Sequence, residues 1–236
     1  VAEPLKEQYA AQYEITGNKI VVVPNTPGRH LFNDNNIDKD IFGKYNDSFN
    51  LLYFGGLDVL RGLDYIMEAI PFIIQEVPDF KFIIAGKTNK GYDLFKTASR
   101  LNVSEYIEYI GWIDLKNLPS LISVCDIGVF TPSVFHTEIH KTIATKIYQF
   151  LVMKKPVMVG TAELMKEFVE KNEIGFSVNE MDPGDIGEKV ISIFKDKARL
   201  DTYMDNCSKI ANQYYWEITS KELIARYNTW KSSNND

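Results

Sequence analysis

Cysteine is scarce: Cys125 and Cys207 are the only two in 236 residues. They stand far apart, so neither a disulfide framework nor a CxxC redox or zinc site is available. Cys125, beside an apolar run, reads as a buried free thiol. Basic residues are outnumbered, 26 Lys and Arg against 32 Asp and Glu, for a formal charge of −6. An acidic surface excludes nucleic acid as the expected partner, because phosphate backbones want a basic face. It leaves room for a local basic pocket around a small phosphate ligand. No apolar run reaches the ~18–20 residues of a membrane-crossing helix, and no signal peptide opens the chain. A cytoplasmic protein is therefore expected. The chain begins at Val1 rather than methionine, as a cut or processed chain would. Two phosphate-loop motifs are also missing: there is neither GxGxxG nor GxxxxGK[ST].

What is present is alternation. Six short apolar runs recur: Leu51–Phe54, Phe80–Ala85, Ile107–Ile110, Ile127–Phe130, Pro156–Val159 and Ile174–Val178. Each is too short for a helix, rich in β-branched or aromatic residues, and bounded by turn formers. Amphipathic segments lie between them. In the first, Leu63, Ile66, Ile70, Ile73, Ile74 and Val77 share one face of a 3.6-residue period, with Pro71 expected to kink or break it. Strand–helix repetition predicts an α/β fold, a doubly wound parallel sheet of about six strands with helices on both faces. The ends differ. Residues 1–49 read as a short helix, a lone strand at Lys19–Val23 and a polar loop; 50–199 as the Rossmann-like domain; 200–236 as terminal helices.

Doubly wound sheets bind ligands outside the carboxyl ends of their strands, which directs attention to four loops. After the first strand stand Gly55 and Gly56, which let backbone approach a ligand, and Arg61, either a bidentate phosphate donor or a solvated arginine of a tight turn. After the second, Lys87 is either a second cation near the ligand or a surface lysine. After the third, Trp112 follows Gly111 and either packs on a planar base or fills the core. The fourth loop is the longest and leads to a helix near Lys146, with Thr145 or Thr142 as N-cap. Free N–H groups and the helix dipole make that helix start an anion site. His136, Glu138 and His140 lie in the same loop without HExxH spacing or a third strong ligand nearby, so they read as a polar cleft lining rather than a metal centre.

The order of these pieces resembles one family, glycosyltransferase family 4, also called glycosyltransferase group 1. The pieces are VVVPNTPGRHLF (Val21–Phe32), LLYFGGLDVLRGLDYIMEAI, FKFIIAG, YIEYIGWID, DIGVFTPS, TKIYQFLVMKKPV (Thr145–Val157) and YYWEITSKELIARY. The resemblance covers most of residues 19–230 and corresponds to the C-terminal, nucleotide-sugar-binding half of a GT-B fold. It implies an enzyme that transfers a sugar from a nucleotide diphosphate sugar with retention of configuration and without a bound metal or other cofactor. Protein cations and a helix N-terminus would stabilise the departing diphosphate. It further implies a sugar or lipid-linked acceptor held by an N-terminal half outside this chain, so that this chain alone is inactive. The family commonly works in polysaccharide biosynthesis at the cytoplasmic face of the membrane, which implies a peripheral membrane association. By the same resemblance Arg61 meets the diphosphate, Gly55 and Gly56 form its glycine loop, Ile143, Ala144 and Thr145 cap it through backbone, and Gly111 and Trp112 flank the base; Lys87 stays a candidate second cation from its place in the loop alone.

The sequence departs from the family pattern at three positions. Gly56 stands where many members have arginine. Gln149 and Lys141 stand where many have a pair of glutamates eight residues apart. Gln149 has one acceptor oxygen for the two ribose hydroxyls a carboxylate would accept from, a loss of about 1.5–3 kcal/mol of donor binding. Glu138, three residues upstream of Lys141, is the substitute, and Arg61 and Glu138 are the residues expected in the transfer itself. The departures leave a degenerate, non-catalytic nucleotide-sugar-binding module as the alternative. A nucleotide-sugar epimerase of the same fold has no residue to support it.

Overall fold

The computed structural model describes residues 3–89, 91–133 and 140–233. Its centre is one parallel sheet of β1 (Phe49–Phe54), β2 (Phe80–Ala85), β3 (Ile107–Gly111), β4 (Ile127–Phe130), β5 (Val157–Val159) and β6 (Gly175–Ser177), ordered β3-β2-β1-β4-β5-β6. The doubly wound sheet read from the apolar runs is the one observed. Pro156 drops out of β5 because it has no N–H to give a ladder; its carbonyl accepts from the Gly128 N–H at 2.8 Å instead.

Alternation along each strand divides the core in two. In β1, Leu52 and Phe54 face one layer and Leu51 and Tyr53 the other, all buried. The first layer is closed by α4 (Leu118–Ser123), α5 (Thr145–Val152) and α6 (Glu163–Lys171). The second is closed by α2 (Leu63–Ile73), α3 (Leu94–Arg100) and α7 (Pro183–Lys195). The winding reverses between β1 and β4, which pair directly at Leu51–Ile127 and Leu52–Gly128. That reversal opens a crevice at the carboxyl ends of the two strands.

One expectation fails here, and a second is met only in part. Lys19–Val23 is not a strand of the sheet: a 3-10 turn occupies Gly17–Lys19, and residues 20–28 pair with no described strand. An apolar run specifies a strand only where a neighbour can take its backbone hydrogen bonds. Pro71 does not break α2 but sits in its last turn. The helix ends at Ile73, so only one interior hydrogen bond is lost, and burial of Ile66, Met67, Ala69, Ile70 and Ile73 holds the turn in place.

The remaining helices are α1 (Glu3–Gln12), α8 (Lys197–Ile210), α9 (Trp216–Thr219) and α10 (Lys221–Ser233). Residues 26–29 and the C-terminal segment meet. The Trp216 N–H donates to the Pro27 carbonyl at 2.9 Å. Glu217 accepts from the Arg29 N–H at 3.0 Å, and the Arg29 guanidinium lies 4.2 Å from the centre of the Tyr215 ring. Beyond this knot α10 leaves Leu223, Ile224, Tyr227 and Trp230 exposed.

Candidate functional site at the strand switch point

The loops after β1 to β4 are laced together by their backbones. The Gly55 N–H donates to Ala85 at 2.8 Å, Leu57 to Lys87 at 2.9 Å, Gly86 to Gly111 at 2.7 Å and Ser133 to Leu60 at 2.8 Å. Tyr53 adds a side-chain lace, donating its hydroxyl to the Gly56 carbonyl at 2.7 Å. The result is a floor with little freedom to reorganise around a ligand.

Arg61 stands on this floor, partly buried and aimed by Asp58. The Asp58 carboxylate accepts from Arg61 Nε at 3.1 Å, from Asn89 at 3.2 Å and from the Leu60 N–H at 2.9 Å. Only the Nε edge of the guanidinium is engaged among the described residues, so its two Nη groups remain for an anion. The sequence offered Arg61 without Asp58; the signal for the pair was the i, i+3 spacing of a carboxylate and an arginine within one turn. Gly62 follows at φ +72°, and a Cβ there would lie 2.2 Å from the Thr131 carbonyl oxygen. The β1 and β4 loops therefore touch backbone to backbone at Gly62.

A residue the sequence reading passed over stands beside Arg61. Lys146, in the first turn of α5, lies with its Nζ 5.2 Å from the centre of the Tyr53 ring and 4.9 Å from that of Phe130. Burial draws its ammonium down to about 8, with the Arg61 charge acting in the same direction and Asp58 offsetting part of it. Gly55, at φ +133°, makes the space: a Cβ there would lie 2.5 Å from the Lys146 Nζ. Burial also raises the Tyr53 hydroxyl, which stays neutral at any physiological pH.

The start of α5 corrects another expectation. Thr145 is the first helical residue and not the cap; neither it nor Thr142 holds that position. Ala144 does, at ψ 141°, and no side chain closes the turn. Alanine has no side-chain oxygen to give, so among the described residues no cap side chain accepts from the leading N–H groups, and the Ile147 N–H turns back to the Ala144 carbonyl at 3.0 Å. Ile143, Ala144 and Thr145 are partly buried, and Ile143 and Ala144 pack on the first core layer. Gln149 lies one turn further along α5 and is buried to 9% exposure, among apolar neighbours of the helix. Lys141 is partly buried. His136 and Glu138 fall outside the described residues. Among the described residues no three His, Cys, Asp or Glu side chains stand close enough to hold a metal ion.

A cavity of about 400 Å³ opens on the other side of Gly55, along the ends of β1, β2 and β3. Gly55, Gly56, Lys87 and Trp112 all line it, and Gly111 precedes Trp112 at its rim. Trp112 is 61% exposed, which excludes the core-filling role, and Lys87 Nζ stands 5.6 Å from its ring centre. The site thus has two halves: a flat aromatic and apolar recess at β1–β3, and a cationic corner of Arg61 and Lys146 at β1–β4. A larger hollow, about 650 Å³, runs along edge strand β6. It lies away from the switch point, and both its cations are already engaged: Lys189 with Asp185 at 3.2 Å and Arg199 with the Tyr203 hydroxyl at 2.8 Å.

A family profile described as "Glycosyl transferases group 1" matches residues 48–196, the whole of the sheet and the helices that flank it. The chain belongs to this family. An uncharacterized glycosyltransferase of Methanocaldococcus jannaschii is 23% identical over 235 residues, 96% of this chain and 58% of that protein. The alpha-D-kanosaminyltransferase of Streptomyces kanamyceticus is 20% identical over 178 residues, 75% of this chain and 45% of the enzyme. The chain spans about half the length of the curated relatives it matches. Among solved structures, the Anabaena protein HepE in complex with UDP superposes with a TM-score of 0.77 at 17% identity, covering 93% of this chain and 60% of that one. The C-terminal domain of a group 1 glycosyl transferase family protein from Francisella tularensis superposes with a TM-score of 0.61 at 17% identity, covering 82% of this chain and 99% of that domain. Three of these four proteins are described as glycosyltransferases or as members of a glycosyl transferase family, and no described helix is long and apolar enough to cross a membrane.

Proposed function

We propose that the chain is the donor-binding half of a glycosyltransferase, holding a nucleotide diphosphate sugar at the switch point. The observation that carries this reading is the two-part site, a recess walled by exposed Trp112 beside a corner that holds Arg61 at an uncapped helix start. A nucleoside diphosphate has the same two parts, a planar base and a compact polyanionic group. The similar Anabaena fold was solved with UDP, and with UDP and glucose, which makes UDP the probe of choice. In this reading Trp112 flanks the base, while Arg61 and the α5 N–H groups hold the diphosphate and stabilise it as it leaves the sugar. Glu138 and Gln149 are assigned to the sugar–ribose side of the donor. No metal is needed where cations and helix dipole carry the charge. Transfer proceeds with retention to a sugar or lipid-linked acceptor held by a further domain. The exposed apolar face of α10 and the 26–29 knot are where that domain would pack, at or near a membrane surface.

Calorimetry on the 236-residue chain tests this. UDP, GDP or ADP at millimolar concentration is expected to bind; no heat from any of them would end the reading. Arg61→Ala is expected to weaken UDP about ten- to a hundredfold and leave uridine unchanged, the loss of one charge-assisted contact. Equal losses for both ligands would remove Arg61 from the phosphate. Trp112→Ala is expected to weaken UDP and uridine alike, by about five- to a hundredfold, since stacking on a base contributes ~1–3 kcal/mol. A loss confined to UDP would place the base elsewhere. The rival reading, a binding module without catalysis, draws on Gly56, Lys141 and Gln149. Sugar transfer by the intact protein would reject it.

A further inference from the structure

Lys146 is placed against the main local preferences of a cation, with only two ring faces and the shared Asp58 in its favour. It is largely enclosed between Tyr53 and Phe130, where desolvation disfavours charge. Arg61 is a like charge close enough to depress it further. It occupies the first turn of α5, the positive end of the helix dipole. The carboxylate that acts on it, Asp58, is already engaged by Arg61, Leu60 and Asn89. Among the described residues the ammonium has no hydrogen bond and no ion pair, only the faces of two rings. A side chain that merely filled this space would be methionine or leucine. All three penalties change sign when an anion enters: it supplies the missing partner, balances two cations at once, and sits at the end of the dipole that favours it.

We propose that Lys146 is a second cation of the diphosphate site, working beside Arg61 and reaching the anion from α5 through the gap that Gly55 leaves open. This rests on the nucleotide reading above and extends it, because it names a binding residue and links donor binding to a proton. Free Lys146, with its ammonium drawn to about 8, is partly neutral above that pH. The charged groups that bear on it are Arg61 and Asp58 from the β1–α2 loop, while Tyr53 of β1 stays neutral. An arriving polyanion raises the lysine toward its ordinary value, so binding draws a proton from solution.

Calorimetric titration of the chain with UDP in two buffers of different ionisation enthalpy reads this directly. At pH 8.5 the expected uptake is about half to three-quarters of a proton per UDP, and close to none with uridine. Lys146→Met is expected to abolish the uptake and to weaken UDP about ten- to a hundredfold at pH 7.5, with uridine unaffected. UDP bound equally well by Lys146→Met, or an uptake that persists in it, overturns the proposal while the nucleotide reading stands. Absence of UDP, GDP and ADP binding in the unaltered chain overturns the nucleotide reading itself. If Lys146→Met does not fold, the unaltered chain decides alone: UDP bound without proton uptake at pH 8.5 overturns the role given to Lys146.

Discussion

Gly62→Ala is expected to lower the free energy of unfolding by roughly 2–5 kcal/mol. Two independent effects add. At φ +72° an L-residue pays the left-handed penalty, about 1–2 kcal/mol. The new methyl would also lie 2.2 Å from the Thr131 carbonyl oxygen, and a backbone atom cannot rotate away as a side chain can. Forced overpacking of this kind costs about 1–3 kcal/mol. Relief requires the β4 loop to lift from the β1 loop, which breaks the Ser133-to-Leu60 hydrogen bond of 2.8 Å and separates Arg61 from the start of α5. Folded domains hold only about 5–15 kcal/mol in total, so the change is visible in urea unfolding. A difference under about 1 kcal/mol would show that the two loops move apart freely.

Lys146→Met is expected to act in the opposite sense and make the unliganded chain more stable at neutral pH. The sign follows from proton counting. In the folded chain Lys146 releases its proton near 8; in the unfolded chain it does so at the ordinary value of 10.5. Between those values the unfolded chain binds more protons, so the free energy of unfolding rises with pH across that window. Below pH 8 the enclosed charge is present in full and destabilises by up to about 3 kcal/mol, the scale of that difference at 1.36 kcal/mol for each tenfold step. Methionine matches the lysine stem in volume and removes the charge. The stability gap between variant and unaltered chain is expected to be widest at pH 7 and to close toward pH 10.5. A gap of zero at pH 7, or one indifferent to pH, would refute the enclosed charge. A side chain that stabilises the protein when removed, and weakens a ligand when removed, is the signature of a functional group held at a structural penalty.

Most of the fold was legible in the sequence because short β-branched runs and helical periodicity are local properties. Leu51–Phe54 and Phe80–Ala85 announce themselves without knowledge of their neighbours. Lys19–Val23 shows the limit: its composition is that of a strand, but pairing is a property of two segments, and only one was visible. Thr145 fails by a single residue, since a threonine one step inside a helix reads like one at its cap. The site divides along the same line. Arg61 and Trp112 could be found from their places beside glycines after strands. Lys146 could not, because what singles it out is the space over Gly55, created by a residue 91 positions away in the chain. Asp58 was equally silent until its three hydrogen bonds were seen.

The lacing of the loops has one further consequence. Gly55, Leu57, Leu60, Arg61, Gly86 and Ser133 all direct their backbone N–H groups into the protein's own oxygens. An anion arriving at this floor finds few amides arranged to match its shape. On the reading proposed above it meets instead a guanidinium, an ammonium and the end of a helix. A cradle of amides recognises the geometry of a phosphate, whereas a cradle of charges recognises how much negative charge is present and fades as ionic strength rises. Discrimination between a diphosphate and a monophosphate would then depend on charge count, and discrimination among nucleotides would fall to the recess around Trp112.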